Sequence, residues 1–87
     1  MYEIILTDRA TNQLRKLPKD TAHRIAAKIN WLAQHAETVS HERLGGHREY
    51  SLHSGPYRIP YSLDHMKRLV IIEDIDQHDA AYRRLHR

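Results

Sequence analysis

Seven apolar residues, Ala22, Ile25, Ala26, Ile29, Leu32, Ala33 and Ala36, recur with the helical period. At 100° per residue they share a stripe about 120° wide, the pattern of a helix that buries one face. Arg24, Lys28 and His35 lie on its far side, and Trp31 also falls opposite the stripe. From Arg48 onward the period changes from helical to two-residue alternation, so the second half of the chain must pair as strands against that face. This switch of period within 87 residues leaves room for one layer of helices and one sheet, in a single domain spanning 1–87.

The flanking segments complete the pattern. Tyr2 to Leu6 is short and rich in Ile and Tyr, which reads as a strand ended by Thr7-Asp8. Thr7 or Asp8 then caps a first helix carrying Ala10, Leu14 and Leu17. Pro18 ends it, and the second helix starts at once with Pro18 or Lys19 in its first turn and Asp20 near its positive end. The Leu-Pro-Lys turn implies an antiparallel helical hairpin. Periodicity vanishes from Glu37 to His47, around Gly45-Gly46, which reads as a loop.

Three strands are expected next. Arg48 to His53 alternates, with Tyr50 and Leu52 on one face and Glu49, Ser51 and His53 on the other. Ser54-Gly55-Pro56 is a tight turn. Tyr57 to Leu63 follows, with Pro60 removing one backbone donor and so marking a bulge or an edge. Asp64 to Lys67 turns into Arg68 to Ile75, the most apolar strand, and Asp79 to Arg87 has the length for two turns of helix. The expected class is α+β: β-α-α-β-β-β with a short C-terminal helix, an antiparallel sheet packed on the helical hairpin.

Composition narrows the chemistry. With no cysteine, disulfide scaffolds, Cys-based zinc fingers and thiol catalysis are excluded. No apolar run approaches the roughly 18–20 residues of a membrane span, and Met1-Tyr2-Glu3 does not open a signal peptide, so a cytoplasmic domain without membrane partners is expected. Fourteen Lys and Arg against 11 Asp and Glu give a charge of +3, while eight histidines stand out in so short a chain. Asp74, Asp76, His78 and Asp79 form an O/N-rich cluster, but alternate strand residues lie roughly 7 Å apart, too far for adjacent metal ligands. No metal or cofactor is expected. Those acids could instead hold Arg58 or a partner's basic side chains.

The run Leu44-Gly45-Gly46-His47-Arg48-Glu49-Tyr50-Ser51-Leu52-His53-Ser54-Gly55-Pro56-Tyr57-Arg58-Ile59-Pro60-Tyr61, with the Leu-Pro turn before it and Ile75-Asp76-Gln77-His78-Asp79-Ala80-Ala81-Tyr82-Arg83 after it, resembles the RelE/ParE toxin superfamily. These are small toxins, each neutralised by a co-expressed antitoxin. The resemblance implies the RelE-like fold, a cognate antitoxin in a hetero-oligomeric complex, and, for the RelE-like and YafQ-like branches, metal-free cleavage of messenger RNA in the ribosomal A site. The 2′-hydroxyl attacks the adjacent phosphate and the 5′-oxygen leaves, which requires a base, an acid and cations for the phosphorane-like charge.

Position by position, the resemblance puts Arg58 on the scissile phosphate, with a solvated strand arginine as the bland alternative. Tyr82 matches the aromatic that stacks on or orients a base, or else anchors the tail. The Gly-His-Arg that usually precedes it is replaced by Asp76-Gln77-His78, as in the YafQ-like branch, which makes His78 the leading acid/base candidate. His53 stands where many relatives have arginine. Glu42 fits the base glutamate of the YoeB-like branch, and His41, His47 and Arg48 are candidate RNA contacts. The same fold also serves ParE-like inhibitors of DNA gyrase without nuclease chemistry, and catalytically degenerate members.

Overall fold

The computed structural model describes residues 1–38, 42–43 and 50–77. They run as β1 (Glu3–Leu6), α1 (Asp8–Lys16), α2 (Lys19–His35), β2 (Glu42–Arg43), β3 (Tyr50–Ser54), β4 (Tyr57–Asp64), β5 (Leu69–Ile72) and β6 (Asp76–Gln77). The Thr7 hydroxyl caps α1 by accepting from the Ala10 N–H at 3.1 Å. Asp8 in the first turn and Arg15 and Lys16 in the last complement the helix dipole. Leu17 is extended, as the residue before a proline must be, and Pro18 starts α2 directly. Ile25, Ile29, Leu32, Ala33 and Ala36 are buried as their spacing requires, with Ala22 and Ala26 half-buried at the margins.

The sheet order is β1-β5-β4-β3-β2, with β6 also pairing β4. The expected meander is present: β3 and β5 each pair antiparallel with the β4 strand between them. The sheet as a whole is mixed, not antiparallel, because β1 runs parallel to β5, Glu3 facing Leu69 and Leu6 facing Ile72. Alternation within a strand carries no information about a partner more than sixty residues away, so this direction was not available from the local pattern. The expected loop from Glu37 to His47 contains the two-residue β2, paired to β3. The strand expected to start at Arg48 is described from Tyr50, and that expected to run to Ile75 ends at Ile72. The expected C-terminal helix lies outside the described residues.

Cross-strand register sorts the side chains. Tyr50, Leu52, Ile59, Tyr61, Leu63, Val70, Ile72, Ile4 and Leu6 share the helix-facing side, where they form the core with α2. The buried Tyr61 phenol, 5.6 Å from the Tyr50 ring centre to centre, is pushed up to about 12 by burial and then by the Tyr50 phenol. Ser51, His53, Arg58, Pro60 and Ser62 alternate onto the other side.

Pro60 sits in the middle strand, where a missing donor should break a ladder. It causes no break towards β3. On the other side Tyr61 faces Ile72 but Arg58 faces Asp76, three residues on β4 against four opposite, so a bulge separates β5 from β6 next to Pro60. The backbone groups of the bulged segment are satisfied elsewhere. Glu73 N–H donates to the Pro60 carbonyl at 2.9 Å, the Thr7 hydroxyl donates to the Glu73 carbonyl at 3.1 Å, and Ile75 N–H donates to Gln13 Oε1 at 2.7 Å. Helix α1 therefore fixes where β6 begins. Among the described residues no helix is long and apolar enough to cross a membrane.

Two outcomes test this packing. Gly55, with φ +57°, opens the two-residue β3–β4 turn, the sign pattern of a type II′ turn with Pro56 second. A Cβ there meets nothing within 4 Å, so Gly55→Ala acts through backbone strain alone and costs about 1–2 kcal/mol in chemical denaturation. Between pH 10 and 12 the unfolded chain ionises Tyr61 while the folded chain does not, so stability falls across that window. Tyr61→Phe flattens that alkaline loss relative to wild type.

Candidate functional site

The tight β3–β4 turn fixes a register in which His53 is the cross-strand partner of Arg58. On the opposite flank of Arg58, the bulge brings Asp76 of β6 into register with it. Directly opposed residues point to the same face with Cβ atoms about 5 Å apart, so His53, Arg58 and Asp76 form one row across three strands. His53 is exposed, while Arg58 and Asp76 are half-buried. In the neighbouring row Glu42 is the Cα partner of Ser51, which in turn opposes Pro60.

Arg58 is oriented by its neighbours rather than left to solvent. Its Nη1 donates to the Ser51 hydroxyl at 2.8 Å, and Ser51 is only 6% exposed. Its Nε is buried and has no hydrogen-bond partner among the described residues. A buried donor of a permanently charged group carries a desolvation penalty while it lacks an acceptor. On the same side but four residues along β4, about 13 Å away, the Ser62 hydroxyl donates to Glu73 Oε2 at 2.9 Å, which ties that carboxylate down.

Of the residues singled out from the sequence, His53 and Arg58 are brought together, and the backbone of Glu42 lies one row away. His78, Tyr82, Arg48, His47 and His41 lie outside the described residues. Ser51 was missed. A serine in an alternating strand gives no chemical signal, although sharing a face with His53, seven residues from an arginine across a tight turn, would have placed it diagonal to Arg58. The suggestion that the acidic cluster faces Arg58 is met at Asp76 by register. Asp74 turns inward and is 2% exposed. Among the described residues no group of three or more His, Asp or Glu is placed to hold a metal.

The model of the ParE toxin of type II toxin–antitoxin systems matches residues 4–82. The chain belongs to the ParE toxin family. It is thus a type II toxin of the RelE/ParE superfamily, as the hairpin and tail motifs implied. No curated protein matches the sequence. Solved structures place this family member on the RelE fold. The isolated E. coli RelE toxin superposes with a TM-score of 0.76 at 17% identity, covering 98% of this chain and 99% of that one. A chain of the intact E. coli RelBE toxin–antitoxin complex gives 0.74 at 20% identity, covering 88% and 96%. A chain of the RelBE2 complex of Mycobacterium tuberculosis gives 0.73 at 23%, covering 88% and 98%.

The Arg58–Ser51 contact yields a stability test. Ser51→Ala removes the acceptor of a charged donor and costs about 1–3 kcal/mol. In the double-mutant cycle with Arg58→Ala the two losses are not additive; a coupling near zero would mean that the contact does not hold the guanidinium.

Proposed function

We propose that this toxin is a metal-independent endoribonuclease that cuts messenger RNA on the face bearing Arg58. The observation that carries this reading is the His53–Arg58 pair, with the guanidinium tethered by Ser51 and one buried edge lacking an acceptor. Arginine suits a scissile phosphate because its fork offers two parallel donors and stays charged as negative charge builds up. Histidine suits the accompanying proton transfers because its pKa sits near neutrality.

In this reading the RNA 2′-oxygen forms a bond to the adjacent phosphorus, its proton passing to a base. The bond from phosphorus to the 5′-oxygen breaks, and an acid protonates the leaving oxygen. The products are a 2′,3′-cyclic phosphate and a 5′-hydroxyl end. Arg58 binds the non-bridging oxygens. His78, His53 and Glu42 are the candidates for base and acid, Tyr82 orients a base, and Arg48, His47 and His41 contact the RNA backbone. The message is presented in the ribosomal A site. A cognate antitoxin forms a hetero-oligomer with the toxin, a partnership supported by the RelBE complexes that share its fold. The proposed site of action is the cytoplasm, and the fold is used as one domain over 1–87.

The match to the ParE model favours a second reading, inhibition of DNA gyrase by binding. Induction of the toxin in cells separates the two. The nuclease reading expects translation arrest with transcripts cut to 5′-hydroxyl ends, and Arg58→Ala lowers the cleavage rate by about 10²–10³-fold. Full toxicity of the combined Arg58→Ala, His78→Ala variant would falsify it. Intact messages with blocked DNA supercoiling would assign the toxin to gyrase.

A further inference from the structure

Helix α1 carries a polar residue where its pattern calls for an apolar one. Ala10, Leu14 and Leu17 pack on the core, and position 13 completes their stripe at helical spacing. That position is Gln13, half-buried, where a polar side chain is unfavourable unless it is hydrogen-bonded. Its Oε1 accepts from the Ile75 N–H at 2.7 Å, across 62 residues of chain. Among the described residues the Gln13 side chain makes no other hydrogen bond. Ile75 is only 1% exposed, so its N–H depends on that one oxygen.

The bond falls where the register of β6 is decided. β6 has two residues, Asp76 opposite Arg58 and Gln77 opposite Tyr57, too few to define their own pairing. Glu73 still pairs with Pro60 through its N–H, and its carbonyl accepts from the Thr7 hydroxyl. Asp74 and Ile75 then occupy a stretch in which β4 has only Ile59. Gln13 holds the Ile75 N–H at the end of this bulge, one residue before β6 begins. A slip of one residue would move the strand about 3.3 Å and exchange its faces, turning Asp76 away from the Arg58 side. Thr7 cannot be tested cleanly, because its hydroxyl also caps α1. Gln13 has no such second duty.

We infer that Gln13 is a positioning residue for the Arg58 row. By accepting from Ile75 it selects the register that sets Asp76 beside Arg58, and from which the chain continues directly to His78. It acts through the backbone of the bulge and not by touching RNA. Its effect on cleavage rests on the nuclease reading, whereas its effect on the geometry of the Arg58 row does not.

Three variants of the full chain test this role. Gln13→Met keeps the reach of the side chain and removes the acceptor, while Gln13→Glu keeps an acceptor oxygen. Ile29→Val thins the buried core beneath α2 and controls for lost stability alone. In isotope-labelled toxin, the nuclear magnetic resonance signals of Arg58 Nε–H and the Gln77 amide are expected to move in Gln13→Met. They return towards wild type in Gln13→Glu and stay in place in Ile29→Val. In single-turnover cleavage of ribosome-bound message, Gln13→Met lowers the saturating rate roughly ten- to a hundredfold and leaves the half-saturating concentration nearly unchanged. Gln13→Glu restores most of that rate, and Ile29→Val cuts like wild type. Unmoved Arg58 and Gln77 signals in Gln13→Met, equal displacement in Ile29→Val, or no recovery in Gln13→Glu would each overturn the inference. So would full cleavage by Gln13→Met alongside loss of cleavage in Arg58→Ala. Wild-type cleavage by Arg58→Ala would instead overturn the nuclease reading, and the Arg58 and Gln77 signals would then decide the role of Gln13 by themselves.

Discussion

A proline in the middle strand of a sheet sets the terms for the rest of this molecule. Pro60 offers β4 no N–H towards β5, so past Ile72 the ladder keeps only the bond from Glu73 N–H to the Pro60 carbonyl before the register shifts. The extra residue in the bulge then carries the chain over to β6 and brings Asp76 opposite Arg58. Three backbone groups exposed by this departure are met by Pro60 itself, by Thr7 and by Gln13. Without those partners each would add the penalty of a buried polar group. The first helix is therefore more than a lid on the core: its cap residue and its Gln13 define the edge of the site.

What was legible in the sequence divides along the range of the interactions involved. The helix from Lys19 to His35 follows from its own periodicity, and the helix before it from a cap and a proline. The His53–Arg58 pairing was within reach because a two-residue turn at Gly55-Pro56 leaves only one register for the flanking strands. The parallel union of β1 with β5 is set by packing across the whole chain, and nothing in Glu3–Leu6 encodes it. Pro60 did signal a bulge, but the partner strand that takes the extra residue became visible only with Asp76 in place. Ser51 escaped because its role depends on a diagonal contact, not on its own chemistry.

The charge balance around Arg58 shapes what it can bind. Asp76 stands beside it in register. Among the described residues a phosphate approaching this row meets the Arg58 guanidinium beside an acid, so recognition there leans on geometry at short range. Tethering by Ser51 reduces the entropy lost when the guanidinium engages a ligand, which offsets part of that handicap.

The β3–β4 hairpin links the two surfaces of the molecule. His53 and Arg58 turn towards one side, and their chain neighbours Ser54 and Tyr57 turn towards a cleft beside α2. The two faces are therefore back to back across a single thickness of backbone, joined through a turn whose conformation depends on Gly55. The turn that closes the Ser54–Tyr57 pair therefore also sets the strand ends that aim His53 and Arg58.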